Sequence, residues 1–221
     1  MSGVKMKYLF LACTLLLPTA GLANRTSMID NPVIGSVEAL HKNAELKNYS
    51  ENISINLLDD QDFNDKLYEE VDLVTNEETR LHAVLVDGTK LMVGENSEIR
   101  LTKFLLKDKN SIGELEVVKG AFRMISGQIN KTPGGKLTIK TPLVSVGIRG
   151  TDFWGLQTEN DLTLALLDNG IVDITTISGE EVTLDNQMTF VVVSKDGSLS
   201  QVQELPQEVF LEAAKTVSFP E

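Results

Sequence analysis

An all-β fold, a short solenoid-like roll or a β-sandwich closed by a small C-terminal helix, is what this 221-residue sequence predicts. Three observations carry the prediction. From about Val33 onward, apolar residues fall in short runs, such as Ala83–Val86, Leu115–Val118, Leu162–Leu167 and Phe190–Val193, several of them alternating with period two. Turn signals punctuate those runs at Asp87-Gly88, Gly94-Glu95-Asn96, Gly120, Gly127, Gly134-Gly135, Asp168-Asn169-Gly170, Ser178-Gly179 and Asp196-Gly197. No strong helical stripe interrupts them. A jelly-roll sandwich is the alternative arrangement of the same strands.

Taken in order, the elements begin with a leader. Lys5 and Lys7 precede an apolar run from Tyr8 to Leu17; Pro18 breaks it, and Gly21-Leu22-Ala23 offers small residues before Asn24. That order is the one expected of a secretory signal peptide, residues 1–23. The run is about half of the roughly 20 residues a membrane helix needs, so no stable membrane insertion is expected. Residues 24–205 are then expected to form a single β domain. Within it, Asn43–Glu70 is polar and acidic and reads as a long excursion between early strands. Pro133-Gly134-Gly135 reads as a hairpin tip. In the last segment, 206–221, Pro206 is placed to start a helix over Gln207–Lys215 with Val209, Phe210 and Ala213 inward, capping an open sheet edge.

Composition narrows the functions. The single cysteine, Cys13, lies inside the leader, so an exported product has no thiol for disulfides, metal or nucleophilic catalysis. A lipoprotein anchored through Cys13 is the alternative reading of the same segment. The net charge is −12, and the leader removes two lysines and no acid. Such a chain lacks the basic face that nucleic acid requires, so no nucleic-acid partner is expected.

The residues stop being generic between Leu81 and Trp154. Val84–Ile99 contains Asp87-Gly88-Thr89 followed by Gly94, Asn96 and Ser97; Lys119–Ile129 contains Gly120, Arg123 and Gly127; Ile139–Phe153 contains Thr141, Pro142, Gly147, Arg149, Gly150, Thr151 and Asp152. In this order the three runs resemble the FecR domain family, with core similarity over 67–174. The family's founding members pass a ferric-siderophore signal from an outer-membrane receptor to a sigma factor. In them a cytoplasmic sigma-binding region and a membrane helix precede the FecR domain, and the sequence shows neither. The resemblance therefore implies the fold and a non-catalytic, envelope-side role as sensor, adaptor or scaffold, with an envelope protein or surface polymer as partner.

Asp87-Gly88 between apolar runs is expected to form a turn in which glycine takes positive φ and aspartate bonds the following backbone. Between Val144 and Leu156 the even positions are apolar until Gly150 and Asp152. A regular strand would bury Asp152, which is costly unless backbone N–H groups or a cation satisfy it. Alternatively, Gly150 breaks the register and frees Asp152 to pair with Arg149 across the corner. The turn rows Asp87–Thr89 and Arg149–Asp152, together with exposed strand edges, are the expected contact surfaces.

Sharper chemistry finds little support in the sequence. His41 and His82 lie far apart and have no ligand-spaced partner; His82 reads as a strand residue near a sheet edge. Asp60-x-Asp62-x-Asn64 has the spacing that opens a calcium loop, but Asp65 stands at the glycine position and Val71 where the bidentate glutamate belongs. Neither a metal nor another cofactor is expected. A calcium-stabilised or polysaccharide-binding structural protein is the alternative function. A hydrolase using Asp152 and Glu159 beside Trp154 is the remote one.

Overall fold

The structure is a computed structural model, and it describes residues 31–48, 50, 52–58 and 66–220. The leader, Cys13 and the calcium candidates Asp60, Asp62 and Asn64 lie outside the described residues.

Two mainly antiparallel sheets face one another. The first runs, from edge to edge, β4 (Lys66–Tyr68), β1 (Val33–His41), β6 (Arg80–Leu85), β7 (Lys90–Val93), β9 (Ile112–Ile125), β12 (Asp152–Gln157), β13 (Asp161–Leu166), β16 (Thr189–Ser194) and β17 (Gln203–Glu204). The second runs β3 (Ile53–Leu58), β2 (Asn43–Asn48), β5 (Val71–Thr75), β8 (Glu98–Leu105), the first part of β9, β10 (Lys136–Lys140), β11 (Val144–Arg149), β14 (Ile171–Thr176) and β15 (Glu181–Leu184). The all-β class with a small C-terminal helix is as the sequence predicts. The sheet is open rather than closed into a barrel.

Alternation along the strands builds the core. Leu81, Leu91, Phe122, Phe153, Leu164 and Val191 from the first sheet meet Leu46, Leu73, Ile99, Leu115, Val146 and Ile174 from the second, all fully or almost fully buried. The rings of Phe122 and Phe153 meet edge to face at 5.8 Å.

One strand belongs to both sheets. Residues 112–119 of β9 pair with β8, the first five of them also with β10, and residues 120–125 pair with β12, the last four of them also with β7. Gly120 makes the passage at φ +98°, where a β-carbon would lie 2.0 Å from Ser97 Oγ. The inward-facing parity reverses there: Gly113, Leu115 and Val117 are buried before the pivot, Phe122 and Met124 after it.

Several expectations need correction. The stretch 43–70 is not an excursion, because its described residues form β2, β3 and β4; the polar outward positions of a hairpin mimic a loop in composition. Gly134-Gly135 is not a hairpin tip. It lies in a crossover that includes a 3-10 turn at Ile129–Lys131, and it returns the chain parallel to β9, the one parallel pairing among the described residues. His82 sits on β6, between β1 and β7, away from any edge.

The helix α1 (Gln207–Val217) lies on the outer face of the first sheet rather than at an edge. Its inward stripe is Phe210, Ala213 and Val217, which pack with Ala121, Trp154 and Ala165, whereas Val209 is 43% exposed. Trp154 Nε1 donates to Thr216 Oγ1 at 3.0 Å, and His82 Nε2 lies 3.0 Å from the Val217 carbonyl with the Phe219 ring against it. These contacts fix the tail onto the sheet. Among the described residues no helix is long and apolar enough to cross a membrane.

Candidate functional site

The residues that stand out in the sequence assemble three corners of the sandwich. At the first, Asp87 is only 3% exposed, and its carboxylate accepts hydrogen bonds from Thr89 N–H (2.9 Å), Thr89 Oγ1 (3.0 Å) and Ile129 N–H (3.0 Å). Thr89 Oγ1 in turn accepts from Gly127 N–H at 3.0 Å, and the Asp87 carbonyl accepts from Gln128 N–H at 2.8 Å. A β-carbon at Gly127 would lie 2.4 Å from the Asp87 carbonyl oxygen. The β6–β7 turn is thus fastened to the crossover after β9, and its carboxylate is fully engaged by neutral donors.

At the second corner Asn96 takes φ +52°, Ser97 is buried against Gly120, and Thr75 Oγ1 both donates to the Gly94 carbonyl (2.6 Å) and accepts from Ser97 N–H (3.0 Å). At the third, Gly150 takes φ +60° and the core parity reverses again, from Val144, Val146 and Ile148 to Phe153. Thr151 N–H donates to Ser126 Oγ at 2.8 Å, and Ser126 N–H donates to the Thr151 carbonyl at 3.0 Å. Thr141 closes a smaller turn, its Oγ1 accepting from Leu143 and Val144 N–H groups at 3.1 Å each. Gly147 lies within β11, where an added β-carbon would meet only ordinary contacts, so packing does not explain a glycine there.

The register break at Gly150 frees Asp152, but its partner is not Arg149. Arg123 grips it from β9 with two bonds, Nε–Oδ1 at 2.9 Å and Nη2–Oδ2 at 2.6 Å. That bond raises the Arg123 pKa, outweighing burial. Arg149, with a side chain 71% exposed, pairs with Asp173 at 2.7 Å instead. The Asp152 carboxylate therefore faces a fixed guanidinium, and Trp154 lies buried beneath α1 rather than forming an exposed platform. On the second sheet, Arg100 bridges Asp72 (2.8 Å) and Glu116 (3.2 Å). Burial pushes the Asp72 carboxyl above its usual range, against the opposing pull of the Arg100 hydrogen bond, and the same bond raises Arg100.

The concave feature lies elsewhere, mostly in residues that no motif marks. A cleft of about 730 Å³ opens between the C-terminal half of α1 and the pivot of β9. Its wall is mainly apolar, with Val118, Ala121, Leu143 and Leu156 contributing, and Thr216 lines it from the helix. Of the family-motif residues, Asn96, Gly120 and Pro142 reach it. A second cleft of about 810 Å³ adjoins it, sharing Arg80, Glu95 and Lys215. Arg80 donates to the Thr79 carbonyl at 2.9 Å and pairs with Glu95 at 3.4 Å, while its buried Nε has no acceptor among the described residues. Lys119, Lys195 and Glu159 line the first cleft without an ion pair among the described residues. The sequence marks Glu159 only as half of a remote hydrolase pair and does not mark Arg80 or Lys195, because each is an ordinary strand-end or turn residue, brought together only by the pivot and the helix.

Residues 71–173 match the sequence model of the family described as FecR protein. Two crystal structures of a candidate anti-sigma factor from Parabacteroides distasonis share the fold, with a TM-score of 0.52 and 15% identity over 62% of this chain. The alignment spans 61% of that protein's chain. No curated protein sequence matches.

Proposed function

We propose, from the match of residues 71–173 to the FecR protein family, that this chain is a non-enzymatic regulatory module of the bacterial envelope, exported by residues 1–23, which senses or relays by binding a partner protein. The family match is the observation that carries the reading. The turn Asp87–Thr89 is withdrawn as a contact surface, since Asp87 and Thr89 are buried and bound to backbone. An exposed edge takes its place.

Of the four sheet edges among the described residues, β17 has two residues, β4 has three and includes Lys66, and β15 carries Glu181; short or charged edges resist strand addition. β3 differs. Its six residues, Ile-Ser-Ile-Asn-Leu-Leu, carry no charge, and among the described residues it pairs on one side only, with β2. Such an edge can receive an extended segment of a partner through main-chain hydrogen bonds. The test is cross-linking and affinity recovery of the C-terminally tagged protein from its native envelope, beside a variant carrying Ser54→Lys and Asn56→Lys on exposed positions of β3. A discrete envelope protein recovered with the wild type and lost with the variant is the expected result. Recovery of only the protein itself, or of cell-wall material, would overturn the reading.

A further inference from the structure

From the cleft between α1 and the β9 pivot we infer a binding site for a small anionic amphiphile: one negatively charged head group on an unbranched apolar chain. The inference stands apart from the edge-strand reading, since it uses none of β3. A volume of about 730 Å³ falls within the roughly 300–1,000 Å³ of small-ligand sites, and a mainly apolar wall with a few polar groups at its rim is their usual construction.

Charge selects the head group. The chain carries −12 overall, yet Arg80, Lys119, Lys195 and Lys215 converge on this cleft. Two of its three acids are already engaged, Glu95 with Arg80 and Glu212 with Lys215. Lys119 and Lys195 are exposed and without an ion pair among the described residues, so they are the cations available to an incoming anion, with Glu159 the one acid of the cleft wall opposing them and Glu98 facing Lys119 across the β8–β9 pair. Beside this rim, Ile177 is 70% exposed; its N–H is bonded to the carbonyl of the cleft residue Leu143, which extends the apolar surface outward.

Backbone pairing selects an acyl chain over a peptide. A bound extended peptide draws affinity from open main-chain groups. The strands that form this wall have little to offer: β9 is flanked by β8 and β10 as far as Glu116 and by β7 and β12 from Phe122, β12 lies between β9 and β13, and the short stretch Val117–Lys119, which β10 does not reach, is paired on one side alone among the described residues. What remains is side-chain carbon, which an apolar chain covers without needing hydrogen bonds.

Trp154 is the only tryptophan, and its indole N–H is bonded to Thr216, a residue of the cleft wall, so its emission reports on the site. The test titrates the full exported chain with dodecanoate below its micelle concentration, following both Trp154 fluorescence and calorimetric heat. Saturable binding is expected by calorimetry, weakened at least about tenfold by Lys119→Glu with Lys195→Glu and strengthened by Glu159→Gln. Dodecyltrimethylammonium, with the opposite head group, is expected not to saturate. Three results would overturn the inference: no calorimetric binding, equal binding of the two head groups, or binding indifferent to the lysine changes. An acidic apolar peptide that binds where dodecanoate does not would also overturn it. The Ser54→Lys, Asn56→Lys variant should bind dodecanoate as the wild type does, so this site and the edge-strand reading fail separately.

Discussion

The motif corners and the cleft beside α1 are built on opposite principles. At the corners, polar side chains are buried and bonded: Asp87 holds three donors, Ser97 fills the space against Gly120, and Ser126 exchanges bonds with Thr151. At the cleft, apolar carbon is open to solvent and two lysines stand without an ion pair among the described residues. The distinctive residues of the sequence therefore describe how the sandwich is assembled. The surface with capacity to bind is made of residues that look unremarkable one at a time. A recognisable motif is a statement about construction here, and it does not mark the place of contact.

The sharpest way to break this comparison is to remove a corner. Asp87→Ala leaves two backbone N–H groups and a threonine hydroxyl buried without their acceptor, and should cost about 3–4 kcal/mol in chemical denaturation. A loss below about 1 kcal/mol would return the turn to the list of exposed contact surfaces. Next in size is Gly120→Ala, expected at about 2–3 kcal/mol because of positive φ and the clash with Ser97. Adding Ser97→Gly should recover only part of that loss, since it removes the Oγ and Cβ contacts but leaves the Ser97 Cα 2.5 Å from the new β-carbon and the backbone strain in place. Full recovery would show that neither that backbone contact nor φ +98° carries a cost.

Two arginines that look alike in the sequence should then separate. Arg123→Ala strands Asp152, whose side chain is only 16% exposed, and is expected to cost about 2 kcal/mol after allowance for partial solvent screening. Arg149→Ala removes an exposed pair and should stay within about 0.5 kcal/mol. Thermal melts of both variants check the order; equal losses would contradict it.

The smallest effect is in pH dependence. The native Asp72 carboxyl is pushed up by burial, so on acidification the folded state takes up this proton before the unfolded chain does. The Asp72 contribution to stability therefore rises as pH falls from neutrality through its raised native value toward the ordinary carboxylate range. Asp72→Asn lacks that rise, so the melting-temperature difference between wild type and variant should move in favour of the wild type between pH 7 and pH 4. The opposite movement would mean that pairing with Arg100 outweighs burial.

Much of this architecture is legible before any coordinates. Alternating runs and glycine turns locate most strands, and Asp87-Gly88 announces its turn because a tight reversal needs a positive φ and a local acceptor. The break at Gly150 follows from the cost of burying Asp152 in a regular strand. The partner of Asp152 is not legible, because Arg123 is 29 residues away and is brought near only by the pairing of β9 with β12. The hairpin β2–β3 is hidden by its own outward polar residues. The face of α1 is read correctly at Phe210 and Ala213 but not at Val209, since Val209 and Phe210 are both apolar and only the sheet beneath decides which turns inward. The cleft gives no sequence signal, because its walls come from strand ends and turns that are distant along the chain.

The sharing of β9 between the sheets has a consequence for how the molecule comes apart. Each sheet keeps its continuity through that one strand, so peeling either away removes the hydrogen-bonded support of the other. Partial unfolding into a surviving half-sandwich is then unfavourable, and loss of structure should be all-or-none. Trp154 reports from the first sheet alone, whereas far-ultraviolet dichroism reports from both. A strand with dual membership makes their denaturation curves coincide.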